Sequence, residues 1–420
     1  MDIFMRKKFY SRIGIMACIL AGMIVLTGCL YVGKAADESA GHNAVEGQMI
    51  QIQETENSVS VERSGTKEEE VTLTEEEKFL LRDLQADSYA FHQLSDDEQE
   101  IYLEILWTLL NFQENVTLSS MDEEEISRMF QCVLNDHPEI FYVDGYTYTQ
   151  YTLGDILKRI TFTGTYPMDR EEIDGRQARI DEYVKQCFSG ITTEMDEYEK
   201  VKHIYEYLID HTEYDASAKD NQNICSVFLD GRSVCQGYAK ATQYLLQQAG
   251  ISTTLILGEV SQGEGHAWNA VRIDGQWYYV DTTWGDASYQ AVGGEESYPQ
   301  KAMPTINYDY LCVTTEQLCK THTIENVVIP PECNSMEANY YVKEGLYFTT
   351  LDKEQLTRIF KEGYERGNAY VTLKCASKEL YEQMQDMLIT EQEIFQYLDC
   401  PDGVVSYTDD DKQYSMSFWL

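Results

Sequence analysis

Basic residues are scarce in this chain: 32 Lys and Arg stand against 72 Asp and Glu over 420 residues, for a formal net charge of −40. A surface this acidic repels phosphates, and no basic stripe with interleaved aromatics reverses that locally, so nucleic acid is a poor partner. The charge reads as a solvated face, with at most a bias toward cationic or lysine-rich partners by electrostatic steering. C-x-x-C pairs are absent although the chain has 11 cysteines. Cys312, Cys319, His322 and Cys333 are too irregularly spaced for a zinc site, and no metal is expected. The cysteines are scattered through a chain long enough for a sizeable core, unlike a small disulfide scaffold. Most of Cys132, Cys187, Cys225, Cys312, Cys319, Cys333, Cys375 and Cys400 are therefore expected to be buried free thiols. No internal repeat is evident.

Large apolar residues are also few from Leu30 to about Val71, which is rich in Glu, Ser, Gly and Gln. Such a segment cannot bury enough surface to fold, so residues 29–73 read as a flexible tether. Ahead of it, Arg6, Lys7, Lys8 and Arg12 precede an apolar run from Ile13 to Leu26, the build of a secretory signal. The run ends in Leu26-Thr27-Gly28-Cys29, which resembles a bacterial lipobox. That resemblance implies a signal peptide over residues 1–28 and a lipidated Cys29, with the protein anchored on the extracellular face of a bacterial membrane. An uncleaved membrane anchor is the alternative.

Order is expected to begin at Thr74, which with Glu77 has the spacing of a capping box; Ser95 with Glu98 and Ser120 with Glu123 repeat it. Residues 74–165 therefore read as a mainly helical domain, with alternating aromatics suggesting a strand pair near Tyr142 to Tyr151. His137, before Pro138, reads as a structural turn residue. A core over 166–330 follows. It has helical runs at about 170–186 and 194–211, a helix from Cys235 toward Gly250, and strands at Thr253–Val260, Ala267–Ile273 and Trp277–Thr282. Helices followed by an antiparallel sheet indicate the α+β class. Ser288 to Pro304 reads as a loop beside the functional site, one lip of a substrate cleft. Residues 335–420 form a small accessory α+β unit, with a hairpin around Glu344-Gly345 and a solvated turn at Asp409-Asp410-Asp411.

Three residues carry the functional reading. Ser233 and Gln236 have capping-box spacing, which puts Cys235 in the first helical turn, where unpaired N–H groups and the helix dipole favour a thiolate. Asp274-Gly275 favours a two-residue hairpin turn, pairing Ile273 with Gln276. Continuing that register sets His266 and Asp281 as diagonal neighbours on one face, roughly 7–8 Å apart in backbone and within reach of a side-chain hydrogen bond. Taken singly, each residue has a structural reading. Together they read as a thiol nucleophile, its base, and the base's orienter.

These segments resemble the transglutaminase-like superfamily, whose members share the papain-type α+β thiol-enzyme fold. SVCQGYA is similar to its cysteine motif, GHAWN to its histidine motif and YYVDTTWGD to its aspartate motif, in the family's order. The resemblance covers roughly Asp196 to His322. The flanks loosely match secreted clostridial-type lipoproteins carrying this domain. Relatives often have His-Asp where this chain has Tyr205-Glu206. The resemblance implies acyl transfer from peptide or glutamine amides through a thioester on Cys235, without a cofactor, acting as peptidase, deamidase or transglutaminase on protein or cell-wall peptide. Backbone N–H groups at the helix start would supply the oxyanion hole, with Gln236 or Trp284 as further candidates. The rival reading is a non-catalytic peptide- or wall-binding surface lipoprotein that keeps the fold.

Overall fold

The computed structural model describes residues 71–153, 156–260, 263–286, 305–399 and 403–420. The signal segment, Cys29, most of the tether, Cys400 and the loop from Ser288 to Pro304 lie outside these residues. The tether ends sooner than the sequence suggests, because Val71 pairs with Val116 and Leu73 is buried in the first core.

Capping sets the helix starts of the first unit. Helix α1 (Glu75–Leu84) begins at Thr74 and closes a capping box with Glu77, a short α2 (Tyr89–Gln93) follows, and α3 (Asp96–Asn111) does the same with Ser95 and Glu98. Strand β1 (Val116–Thr117) leads to α4 (Glu123–Asp136), whose start differs from expectation. Asp122, not Ser120, caps it, accepting from the Glu124 and Glu125 N–H groups, and the Ser120 hydroxyl turns to Glu125. A carboxylate at the positive end of a helix outcompetes a neutral hydroxyl. This unit also carries a three-stranded sheet: β2 (Gly145–Leu153) pairs along its length with β3 (Ile156–Thr165), and β1 lies on the far side of β3.

The core follows with α5 (Arg170–Phe188), α6 (Glu197–His211), a short parallel pair β4 (Glu213–Tyr214) and β5 (Arg232–Ser233), and α7 (Cys235–Gln248). Next come β6 (Thr253–Val260), β7 (Glu264–Ile273), β8 (Gln276–Val280), α8 (Thr282–Gly285), β9 (Leu311–Val313), α9 (Thr315–Leu318) and β10 (Thr323–Ile324). The five strands form one antiparallel sheet in the order β10-β6-β7-β8-β9. Helix α7 lies on that sheet, with Ala239 packed against Leu255 and Ala267 and the Asn269 amide donating to the Ala239 carbonyl at 3.0 Å. The class is α+β, helices preceding and packing on one antiparallel sheet.

The last unit comprises α10 (Tyr340–Lys343), β11 (Tyr347–Phe348), α11 (Lys353–Arg366), β12 (Tyr370–Cys375), α12 (Lys378–Gln385), β13 (Tyr407–Asp410) and β14 (Ser415–Trp419). Its sheet order is β11-β12-β14-β13. The expected hairpin at Glu344-Gly345 does not form. Gly345, at φ +68°, instead ends the helical turn α10, the Leu346 N–H donates to the Tyr341 carbonyl, and β11 runs parallel to β12. Among the described residues eight cysteines are free, six of them buried, with Cys319 exposed and Cys235 half-buried.

Candidate active site

The hairpin turn builds half of the site. Asp274 and Gly275 both have positive φ, 49° and 81°, as a two-residue type I′ turn requires, and Ile273 pairs with Gln276. The ladder runs back to Asn269 opposite Val280, leaving His266 and Asp281 beyond its end as diagonal neighbours. Their side chains meet: His266 Nε2 lies 2.7 Å from Asp281 Oδ2, both fully buried. A bulge refines the aim. Tyr279 pairs with Val313 and Val280 with Leu311, so Cys312 is the extra residue, at φ +56°, and the Asp281 N–H then donates to the Tyr310 carbonyl at 3.0 Å. Because the carboxylate accepts from Nε2–H, the neutral imidazole presents its Nδ1 lone pair away from Asp281.

Cys235 is the first residue of α7, but not by the expected cap. Val234 occupies the cap position and no side chain caps the helix. The Ser233 hydroxyl is taken by Ser226 at 2.6 Å and by the Asn221 carbonyl at 3.2 Å. No side chain therefore caps the first-turn N–H groups, which a capping box would have quenched, and they remain able to face a negative charge beside Cys235. Gly237 permits this packing, since a Cβ there would collide with the Ser233 hydroxyl and approach the Asn221 carbonyl.

Electrostatics tie the three together. Burial alone would lower the pKa of His266, but the Asp281 charge and hydrogen bond, with a smaller contribution from the Cys235 side chain, push it up to about 10. Burial would raise that of Asp281, yet His266 and a hydrogen bond from His322 hold it well below the usual carboxylate range. The pair's contribution to stability is thus full below the ordinary histidine value of 6.5 and is lost as pH rises through about 10. For Asp281 it is present above the ordinary value of 3.8 and is lost as pH falls through its lowered one.

Two further candidates take different places. Gln236 is buried in the first turn of α7. The Trp284 backbone N–H donates to Asp281 Oδ1 at 3.0 Å, so it is spent on the carboxylate, and its indole walls the imidazole edge-on with ring centroids 6.3 Å apart. Tyr205 and Glu206, where relatives often have His-Asp, are structural here. The Tyr205 hydroxyl donates to the Asn307 carbonyl and Glu206 accepts from Tyr308, at 2.6 and 2.7 Å. His137 bridges Glu139 and Gln85 inside the first unit. His322, which the sequence placed only in an unconvincing metal set, is the residue missed. Its Nε2 lies 3.0 Å from the same Asp281 oxygen.

The family model described as "Transglutaminase-like superfamily" matches residues 185–282, which include all three residues. Kyphoscoliosis peptidase of Homo sapiens is 26% identical over 190 residues, covering 40% of this chain and 27% of that protein. The Mus musculus protein of the same name is 33% identical over 104 residues, covering 21% and 16% respectively. The chain thus spans less than a third of the length of these relatives. Among solved structures, one described as a TGase matches with a TM-score of 0.26 and 13% identity, covering 38% of this chain and 55% of that one. A putative cysteine protease from Cytophaga hutchinsonii matches at 0.23 and 19%, covering 30% and 51%. Through its own motifs and this match, the chain carries a domain of the transglutaminase-like superfamily across residues 185–282.

Proposed function

We propose that the protein is a membrane-anchored extracellular cysteine acyl-transfer enzyme acting on peptide or glutamine amides through Cys235, His266 and Asp281. The observation that carries this reading is the buried His266–Asp281 hydrogen bond beside a cysteine at an uncapped helix start. In this reading the nucleophile is the Cys235 sulfur attacking as thiolate, and the proton donor is His266, which holds its proton to about pH 10. The thiolate attacks the amide carbonyl carbon and the S–C bond forms, while first-turn N–H groups of α7 hold the oxyanion. As the C–N bond breaks, His266 gives its proton to the leaving amine and a thioester remains. The acceptor, water or a primary amine, then loses a proton to His266 as it displaces the thiolate. The relatives named peptidases favour water.

Iodoacetamide labelling of Cys235, mapped by peptide from pH 4 to 9, tests the reading. Labelling should persist well below the free-cysteine value of about 8.5, and His266→Ala should remove most of that low-pH reactivity. An ordinary thiol curve in both proteins would leave only the binding-module reading. Incubating the ectodomain with a peptide mixture, with and without a primary amine, separates cleavage, deamidation and amine incorporation by mass. The anchor rests on Cys29: lipid labelling that survives Cys29→Ala would reject it.

A further inference from the structure

His322 is fully buried just ahead of β10, and no part of the proposed chemistry uses it. Its Nε2 lies 3.0 Å from Asp281 Oδ2, the oxygen that His266 Nε2 approaches at 2.7 Å, while Oδ1 accepts the Trp284 N–H at 3.0 Å. A carboxylate oxygen between two ring nitrogens at these distances needs a hydrogen on each of them. The other nitrogen, Nδ1, is 2.8 Å from the Thr321 hydroxyl, whose one hydrogen has the Leu318 carbonyl at 3.3 Å as its alternative acceptor; turned to the nearer Nδ1, it lets a neutral His322 satisfy both bonds. Trp268, Trp284 and Tyr310 surround the ring at centroid distances of 5.1, 4.9 and 5.6 Å. The set His266, Asp281 and His322 could also be read as metal ligands. Ligands on one tetrahedral zinc ion stand about 3.3 Å or more apart, and metallated nitrogens carry no hydrogen, so these shorter contacts fit hydrogen bonds instead.

We propose that His322 is a positioning residue of this site, its Nε2–H holding the Asp281 carboxylate against His266 and dividing that carboxylate's charge between two imidazoles. The inference rests on the acyl-transfer reading for its purpose, though not for its geometry. The titratable groups gathered here are Cys235 of α7, His266 of β7, Asp281, His322, Tyr205 of α6, whose hydroxyl donates to the Asn307 carbonyl, and Tyr310 beside β9, whose hydroxyl lies 3.4 Å from that of Thr321 and accepts from the Gln413 amide. Of these, only His266 and His322 give a side-chain hydrogen bond to the carboxylate among the described residues. With the second donor gone, the whole charge bears on His266, which must then hold its proton more tightly.

The test is the titration of His266 followed by NMR on the ectodomain labelled with nitrogen-15 histidine, from pH 6 to 11. His322→Phe fills the ring volume without a donor and should move the His266 titration upward by about one pH unit, a tenfold gain in proton affinity. His322→Gln, which can still offer an N–H, should restore most of the wild-type value. Thr321→Val leaves the packing intact and removes the partner that fixes the tautomer, so it should shift the titration in the same direction but by less. If the Phe variant does not fold, the Thr321→Val and His322→Gln pair decides the question. A purely structural histidine would lower the melting temperature and leave the titration in place, and that result overturns the inference. Cys235 alkylation on the same samples separates the two readings. Ordinary thiol reactivity with a shifted His266 titration defeats the enzyme reading alone, whereas an activated thiol with an unmoved titration defeats the role of His322 alone.

Discussion

Gln243 and Gln247 of α7 donate to the Asn135 and Asp136 carbonyls of the first unit at 2.7 and 3.3 Å, whereas Lys374 of the last unit donates to the Asp309 carboxylate beside β9 at 2.6 Å. The first attachment is neutral and reaches the helix that begins with Cys235. It rests on a prearranged surface, since the Asp136 side chain ties down the Ala90 and Phe91 N–H groups and the Tyr102 hydroxyl. The second is a buried ion pair, completed by Ser415 on the other Asp309 oxygen and by Gln413 on the neighbouring Tyr310. Tyr310 in turn packs against Trp284 and His322. Both units therefore reach the site, one behind the nucleophile and one behind the carboxylate. Two buried lysines sharpen the contrast: Lys374 is paired, while Lys240, on the α7 stripe with Gln236, Gln243 and Gln247, has no ion pair among the described residues.

The largest effect should come from breaking the charged attachment. Lys374→Met leaves the Asp309 carboxylate buried without its counter-charge, and should cost about 3–5 kcal/mol in urea unfolding. Replacing both partners, with Lys374→Met and Asp309→Leu, should recover most of that loss, because the cost lies in the uncompensated charge. A single-variant loss below about 1 kcal/mol would mean that the pair is solvated and the contrast between the units is false.

Lys240 should respond in the opposite direction. Burial lowers its pKa from 10.5 to about 8, and no partner offsets that. Below pH 8 both states carry the proton and the penalty is constant at about 3 kcal/mol; between 8 and 10.5 the unfolded chain binds more protons, so stability rises with pH. Lys240→Met should therefore stabilise the protein at pH 7 and flatten the rise between pH 8 and 10.5. A destabilised variant with an unchanged pH profile would show that the ammonium is satisfied where it sits.

Sequence made the His266–Asp281 pair legible because a two-residue turn is local chemistry: Asp274-Gly275 fixes one register, and the register fixes which side chains meet. Where tertiary contacts compete, local rules fail. Ser233 looked like a helix cap, but Ser226 and Asn221 claim its hydroxyl, and the cap it does not make leaves the helix start open where a nucleophile stands. Strand β3 escaped because its threonines and basic residues give no apolar run; Ile160 and Phe162 are buried on one face, while the residue buried on the other is Thr161. His322 was beyond reach for another reason. It lies 41 residues from Asp281, and what joins them is the placement of β10 beside β6, which no spacing in the chain encodes. The signal available was weak: a histidine directly before a two-residue edge strand.

The smallest effect should come from the neutral attachment. Gln243→Leu removes the donor to the Asn135 carbonyl, and an orphaned buried carbonyl costs about 1–3 kcal/mol. The same substitution also removes the Gln243 carbonyl oxygen, which is itself buried without a partner among the described residues, so part of the loss is returned. A net cost near 1 kcal/mol follows, well under that of Lys374→Met, and because Gln243 lies two turns behind Cys235 the alkylation profile should stay in place. Gln247→Leu, with a 3.3 Å bond at the half-buried end of the stripe, should cost less still. Equal losses in Gln243→Leu and Lys374→Met would sink the distinction between a neutral and a charged attachment. A fall in Cys235 reactivity at unchanged stability would show instead that the first unit sets the position of the helix that carries it.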